Sequence, residues 1–228
     1  MITLAVLDMA GTTVSDGGVV EAAFVEALAG MGFDPDGPEL APHLAYVRRT
    51  MGQSKIEVFT AVFEGNGAKA HEANGRFEEA FDAAVSRGEV AALPGSETAL
   101  GALRAMGIRV CLTTGFSRPT REQIIDVLGW RDLIDLSLSP EPGIRGRPYP
   151  DLILTALMRL DIESVRSVAV AGDTTSDVVS GHRAGARVVA GVLTGAHDRI
   201  QLSEAAPTHI LTSIDELPGV LGHLTLEG

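Results

Sequence analysis

The chain of 228 residues sets 30 acids against 18 lysines and arginines, a formal charge of −12, and is 45% hydrophobic, enough to bury the core of one generous domain or of a smaller domain with an insert. Its acids form no block, so they read as a solubilising surface, and duplex nucleic acid is disfavoured as a partner. No apolar run approaches the length of a membrane span and the N-terminal run lacks the basic flank of a signal peptide, so a soluble, cytoplasmic protein is expected.

Strands are predicted at "LAVL" (4–7), "IRVCL" (108–112), "LIDLSL" (133–138), "VAVA" (168–171), "RVVAGV" (187–192) and "HIL" (209–211). Helix-like stretches separate them, which predicts an α/β fold: a doubly wound parallel sheet with crossover helices. Between residues 14 and 94 no strand is apparent. Helical periodicity fills that interval instead, in "VVEAAFVEALAGMGF", "IEVFTAVF" and "AHEANGRFEEAFDAAVSRG". The simplest parse is a core of residues 1–14 and 95–228 interrupted by an all-helical insert, 15–94. The insert leaves and returns through "SDGG" and "AALPGSETAL", where Pro94 and Gly95 precede Ser96, a candidate helix N-cap. The single cysteine, Cys111, lies inside an apolar run and reads as a small buried thiol.

In an open parallel sheet, ligands bind beyond the carboxyl ends of the strands. The first strand ends at Asp8, followed by Ala10, Gly11, Thr12 and Thr13; the second ends at Thr113, Thr114 and Gly115. "GDTTSD" follows the fourth and supplies Asp173 and Asp177, while the loop after the third brings Arg145 and Arg147. Taken singly, Asp173 is as readily a helix cap and Asp177 an acid in a first helical turn. Taken together, these hard oxygen ligands suit Mg²⁺, and the hydroxyls, amides and arginine suit a phosphoryl group facing a nucleophilic carboxylate.

In this order the motifs resemble those of the haloacid dehalogenase superfamily: Asp8 with Thr12, then Thr113, then Arg147, then Asp173 with Asp177. The resemblance spans essentially the whole chain and implies a Rossmann-like core with a helical cap. It implies that Asp8 attacks phosphorus and that Mg²⁺ rests on Asp8, the Ala10 carbonyl and Asp173. Most phosphatases and mutases of the superfamily place a second Asp, a general acid and base, where this chain has Ala10. Losing that proton carrier removes roughly 10²–10⁴-fold in rate from phosphate-ester chemistry.

"DMAGTT", with an arginine in the third motif, is similar to the phosphonoacetaldehyde hydrolase branch and its phosphonatase-like relatives. Those enzymes cleave a C–P bond through a Schiff base on a cap lysine, and "RTMGQSK" offers Lys55 in the matching context, with Met51 and Gly52 beside the substrate. A departing carbon needs an electron sink, which a protonated imine provides. Lys55 and Lys69 are the only lysines among the 18 bases, and Lys69 reads as solvated surface. At a pKa of ~10.4, roughly one lysine in 2,500 is the free amine at pH 7, so a catalytic Lys55 is expected to be depressed, with Arg48 and Arg49 as candidate causes. The branch also carries a histidine three residues after its lysine. Here that residue is Val58, which favours a different 2-oxoalkylphosphonate as substrate.

Two other functions are compatible with these residues: a phosphatase of the phosphoglycolate type, with Lys55 clamping a substrate carboxylate, and a catalytically idle module binding a phosphorylated small molecule. Related enzymes pair through cap helices, and "AAFVEALAGMGF" is apolar enough for a homodimer, although core packing is the ordinary use of such a stripe.

Overall fold

A computed structural model describes residues 1–15 and 17–226. In chain order, β1 (Leu4–Asp8) and β2 (Val14–Ser15) are followed by four helices, α1 (Val19–Gly30), α2 (Leu40–Arg49), α3 (Lys55–Val62) and α4 (Gly67–Ser86). Next come β3 (Ala91–Ala92), α5 (Ser96–Ala105), β4 (Arg109–Thr113), α6 (Arg118–Leu128), β5 (Leu136–Leu138), α7 (Asp151–Arg159) and β6 (Val168–Gly172). The chain continues through α8 (Thr175–Ala184), β7 (Val188–Val192), α9 (Arg199–Glu204), β8 (His209–Leu211) and α10 (Leu217–Leu226).

Six strands form one parallel sheet in the order β5-β4-β1-β6-β7-β8. β1 is central and buried at every position, as its continuous apolar run requires of a strand covered on both faces. From β1 the chain builds outward to β4 and β5 on one side, then to β6, β7 and β8 on the other. The order therefore reverses around β1, and the crevice at the carboxyl ends of β1, β4 and β6 is the place such a sheet offers a ligand. The register puts Asp8 directly beside Thr113.

Four details differ from the sequence reading. A second, two-stranded sheet pairs Val14 with Ala92 and Ser15 with Ala91, tying together the two ends of the helical insert; strands of two residues carry no periodicity to read. The run at 133–138 forms a strand only over Leu136–Leu138. Helix α5 is capped by Gly95, with a left-handed φ of 83°, and Ser96 is its first residue, with a buried hydroxyl that finds no partner among the described residues. α2 lies outside the helical stretches read from the sequence; its Pro42 sits in the first turn, where no intrahelical N–H is needed.

Inside the insert Phe24 of α1 packs against Phe59 of α3 and Phe77 of α4, at ring-centroid distances of 4.9 and 4.7 Å. Phe116, beyond the end of β4, joins them through Phe81 at 4.5 Å, so one aromatic cluster bridges insert and sheet. Burying each such ring contributes roughly 1.5–3 kcal/mol. The apolar stripe of α1 is thereby accounted for within one chain: Val20, Ala23, Phe24, Ala27 and Leu28 are all buried. Among the described residues no helix is long and apolar enough to cross a membrane.

Candidate active site

At the carboxyl ends of β1, β4 and β6 lies a cavity of about 520 Å³ between the sheet and the helical insert. Asp8, Ala10, Met51, Gly52, Lys55, Thr114, Gly115, Arg147 and Asp173 all line it. Thr12, Thr113 and Asp177 are buried beneath and are not part of the lining.

Three carboxylates converge there. Asp8, Asp173 and Asp177 each offer an oxygen within 4.8 Å of the others, and all three are buried. Asp8 is the last residue of β1; Asp173 follows β6. Asp177 belongs to the first turn of α8, where Thr174 and Asp177 form a reciprocal capping box: Asp177 Oδ2 accepts from the Thr174 N–H at 3.1 Å and hydroxyl at 2.5 Å. The cap of α8 is therefore Thr174, not Asp173. Arg147 Nη1 donates to both Asp8 Oδ1 and Asp177 Oδ1, so one guanidinium joins the two carboxylates. Thr12 donates to Asp173 Oδ1 at 3.3 Å, and the Ala196 N–H donates to Asp173 Oδ2 at 2.6 Å.

The electrostatics follow from burying three acids against the Arg147 guanidinium. Burial pushes the Asp8 carboxyl up to about 6, with Arg147 opposing and Asp177 adding to the rise. Asp173 is pushed well above the usual carboxylate range, first by burial and then by Asp8 and Asp177. Burial works against the charge of Arg147, but Asp177 and Asp8 outweigh it and hold the guanidinium protonated. Negative charge thus exceeds what Arg147 can neutralise, in an all-oxygen donor set suited to a hard divalent cation such as Mg²⁺. Space supports the same conclusion. A Cβ on Gly11 would lie 2.5 Å from Asp173 Oδ2 and one on Gly195 2.0 Å from it, so glycine keeps both backbones against this carboxylate.

Lys55 begins α3 and is buried, with the rings of Phe116, Phe24 and Phe77 centred 5.2, 5.7 and 6.0 Å from Nζ. Its loop meets the sheet through glycines. The Lys55 N–H donates to the Gly115 carbonyl at 3.4 Å; a Cβ on Gly115 would lie 2.2 Å from the Gln53 oxygen, and one on Gly52 2.8 Å from the Thr174 hydroxyl. Val58 is buried one turn beyond Lys55.

Some sequence candidates lie elsewhere or serve the scaffold. Arg145 forms a fork with Asp151 at 2.8 and 2.9 Å, stacks 4.1 Å from the Tyr149 ring and does not reach the cavity. Arg49 lies 5.7 Å from the Tyr46 ring, also off the cavity wall, whereas Arg48 lines it and is paired with Glu21. Lys69 is exposed. Thr113 aims its hydroxyl at the Leu7 carbonyl, 3.5 Å away, and the Thr114 hydroxyl accepts from the Phe116 N–H at 3.2 Å.

The segment after β7, Thr194 to His197, was not singled out in the sequence. The strand-end rule applied to β7 points to it. Thr194 donates to the Gly11 carbonyl at 2.7 Å, and His197 lies behind Asp173, whose carbonyl accepts the His197 N–H at 3.3 Å. Burial lowers the His197 imidazole pKa, and Nδ1 accepts from the Thr175 N–H at 3.0 Å, as a neutral ring requires.

A sequence model described as haloacid dehalogenase-like hydrolase matches residues 2–185. The bifunctional riboflavin kinase/FMN phosphatase of Arabidopsis thaliana is 26% identical over 224 residues, 97% of this chain and 54% of that protein, so this chain spans about half its length. Phosphonoacetaldehyde hydrolase of Syntrophobacter fumaroxidans is 29% identical over 198 residues, 79% of this chain and 68% of the relative. Among solved structures, a phosphonoacetaldehyde hydrolase-like protein from Oleispira antarctica superposes with a TM-score of 0.81 at 20% identity, covering 99% of this chain and 93% of the other, a likeness of fold. With the parallel sheet, the helical insert and the three carboxylates at the strand ends, the family match makes this chain a haloacid dehalogenase-like hydrolase.

Proposed function

We propose that this hydrolase cleaves the carbon–phosphorus bond of a 2-oxoalkylphosphonate, with residues 15–94 as a cap over a core of residues 1–14 and 95–228. The observation that carries this reading is Lys55, buried on the wall of the same cavity as Asp8, with Ala10 where phosphate-ester enzymes of the superfamily hold a second Asp. The named phosphonoacetaldehyde hydrolase relative supports the same assignment.

In the proposed reaction the Lys55 amine adds to the substrate carbonyl and water leaves, giving a protonated imine. A carboxylate oxygen of Asp8 then attacks phosphorus. The P–C bond breaks, and its electron pair passes into the imine to form an enamine. Protonation at carbon and hydrolysis release the aldehyde or ketone and regenerate Lys55; a second water hydrolyses the aspartyl-phosphate and releases phosphate. With a pKa of about 6, Asp8 is mostly ionised at pH 7.5 and able to attack. Thr114, the Gly115 amide and Arg147, whose buried Nε has no partner among the described residues, hold phosphoryl oxygens, with Thr113 buried beneath them as part of the floor. Thr12 and Asp177 position Asp173 and Arg147, while Met51 and Gly52 close over the substrate. Asp8, Asp173 and the Ala10 carbonyl would hold Mg²⁺, which would supply positive charge against the phosphoryl oxygens. The three rings around Lys55 keep bulk water from the imine.

Borohydride added during turnover of a 2-oxoalkylphosphonate is expected to leave a reduced adduct on Lys55, read by peptide mass, and Lys55→Arg to abolish phosphate release. Turnover without an adduct overturns the imine mechanism. The FMN phosphatase relative favours a second reading, ester hydrolysis with Lys55 as an anion clamp. It predicts phosphate release from esters and substantial activity in Lys55→Arg.

A further inference from the structure

The cavity wall carries three cations, Arg147, Lys55 and Arg48. Arg147 is bound to Asp8 and Asp177, and the proposed chemistry uses Lys55; Arg48 has no task in it. Arg48 comes from α2 and forms a fork with Glu21 of α1, Nε to Oε2 at 2.9 Å and Nη2 to Oε1 at 2.5 Å, and both residues line the cavity. A guanidinium presenting two parallel donors to a carboxylate is the arrangement by which arginine recognises a carboxylate on a ligand.

We propose that Arg48 reads a carboxylate on the substrate, with Glu21 holding its place until the substrate arrives. The assignment rests on the proposed active site and narrows its substrate class to a phosphonate with a second acidic group. Two observations support the exchange. Arg48 is 60% exposed and Glu21 34% exposed, so their pair is screened by water and is readily replaced. Glu21 also lies in the first turn of α1, where the helix dipole stabilises its charge after Arg48 has moved.

Binding of inert probes tests this independently of the bond cleaved. With Mg²⁺ present, titration calorimetry compares phosphonoacetate, 3-phosphonopropanoate and 4-phosphonobutanoate with the alkylphosphonates of equal chain length, on wild type, Arg48→Gln and Glu21→Gln. At the chain length that reaches Arg48, the acid is expected to bind more tightly than its alkyl partner. Arg48→Gln should weaken the acid about ten- to a hundredfold and the alkylphosphonate by less than about twofold. Glu21→Gln should tighten the acid by up to about fivefold. The two substitutions break one ion pair yet move the acid in opposite directions, which a pair serving only to tie α1 to α2 would not do. Equal effects of both variants on acids and alkylphosphonates, or no acid bound more tightly than its partner, overturn the inference. A missing borohydride adduct with these binding shifts intact overturns the imine reading alone.

Discussion

Gly115→Ala places a methyl group between the sheet and the loop that carries Lys55. The φ of Gly115 lies outside the left-handed region, so alanine meets no backbone penalty and the effect comes from contact alone. Its Cβ would lie 2.2 Å from the Gln53 carbonyl oxygen and 2.9 Å from the carbonyl carbon, both backbone atoms that no side-chain rotation can move away. Carbon and oxygen rest at about 3.3 Å, so the loop must retreat by about 1 Å. Lys55 is two residues beyond Gln53 and donates its N–H to Gly115 itself, so the retreat displaces Nζ from the substrate. A misplacement of that size costs on the order of 10²-fold in rate, about 2.7 kcal/mol. The assay is kcat/KM for phosphate release, with a thermal melt to establish folding. Gly75→Ala is the control: its Cβ meets nothing within 4 Å in α4, so activity should be unchanged and stability should rise by up to about 1 kcal/mol. A folded Gly115→Ala variant within threefold of wild type would refute the argument.

In EDTA the folded protein binds a proton at Asp8 more tightly than the unfolded chain does, its pKa being about 6 against 3.8; stability is therefore fully present below about pH 4 and lost as pH rises through 6. This is about 3 kcal/mol, or about 6–12 °C in Tm, and Mg²⁺ should restore it at pH 7.5 and much less at pH 5; equal Mg²⁺ shifts at both pH values would contradict the charge argument. Arg147→Met leaves three buried acids without their cation and should cost about 3–5 kcal/mol in urea unfolding at pH 7.5 without metal, less at pH 5 where the acids take up protons; a pH-independent loss would point to packing instead. Cys111 is buried and burial pushes its thiol pKa far up, so a disulfide reagent should leave the native protein untouched and label it once unfolded in guanidinium.

The sequence by itself determined the sheet and most of its chemical edge. Continuous apolar runs specify strands buried on both faces, and the strand-end rule then leads to Asp8, Thr114, Asp173 and Arg147 without knowledge of a single contact. Ala10 and the context of Lys55 were likewise legible, because a missing acid and a scarce lysine are visible as letters. Side-chain pairing was not. Asp177 was legible as an acid of a first turn, but its bond to Arg147 depends on where a loop thirty residues earlier in the chain is laid down. The Ala196 amide and His197 come to Asp173 only because β7 lies beside β6. Arg48 meets Glu21 because packing around Phe24 fixes how α1 is rotated against its neighbours, and no local periodicity encodes that rotation. Residue types and spacing decided which chemical groups the chain could bring to the strand ends; tertiary packing decided which were neutralised, which were buried, and which were left facing the cavity.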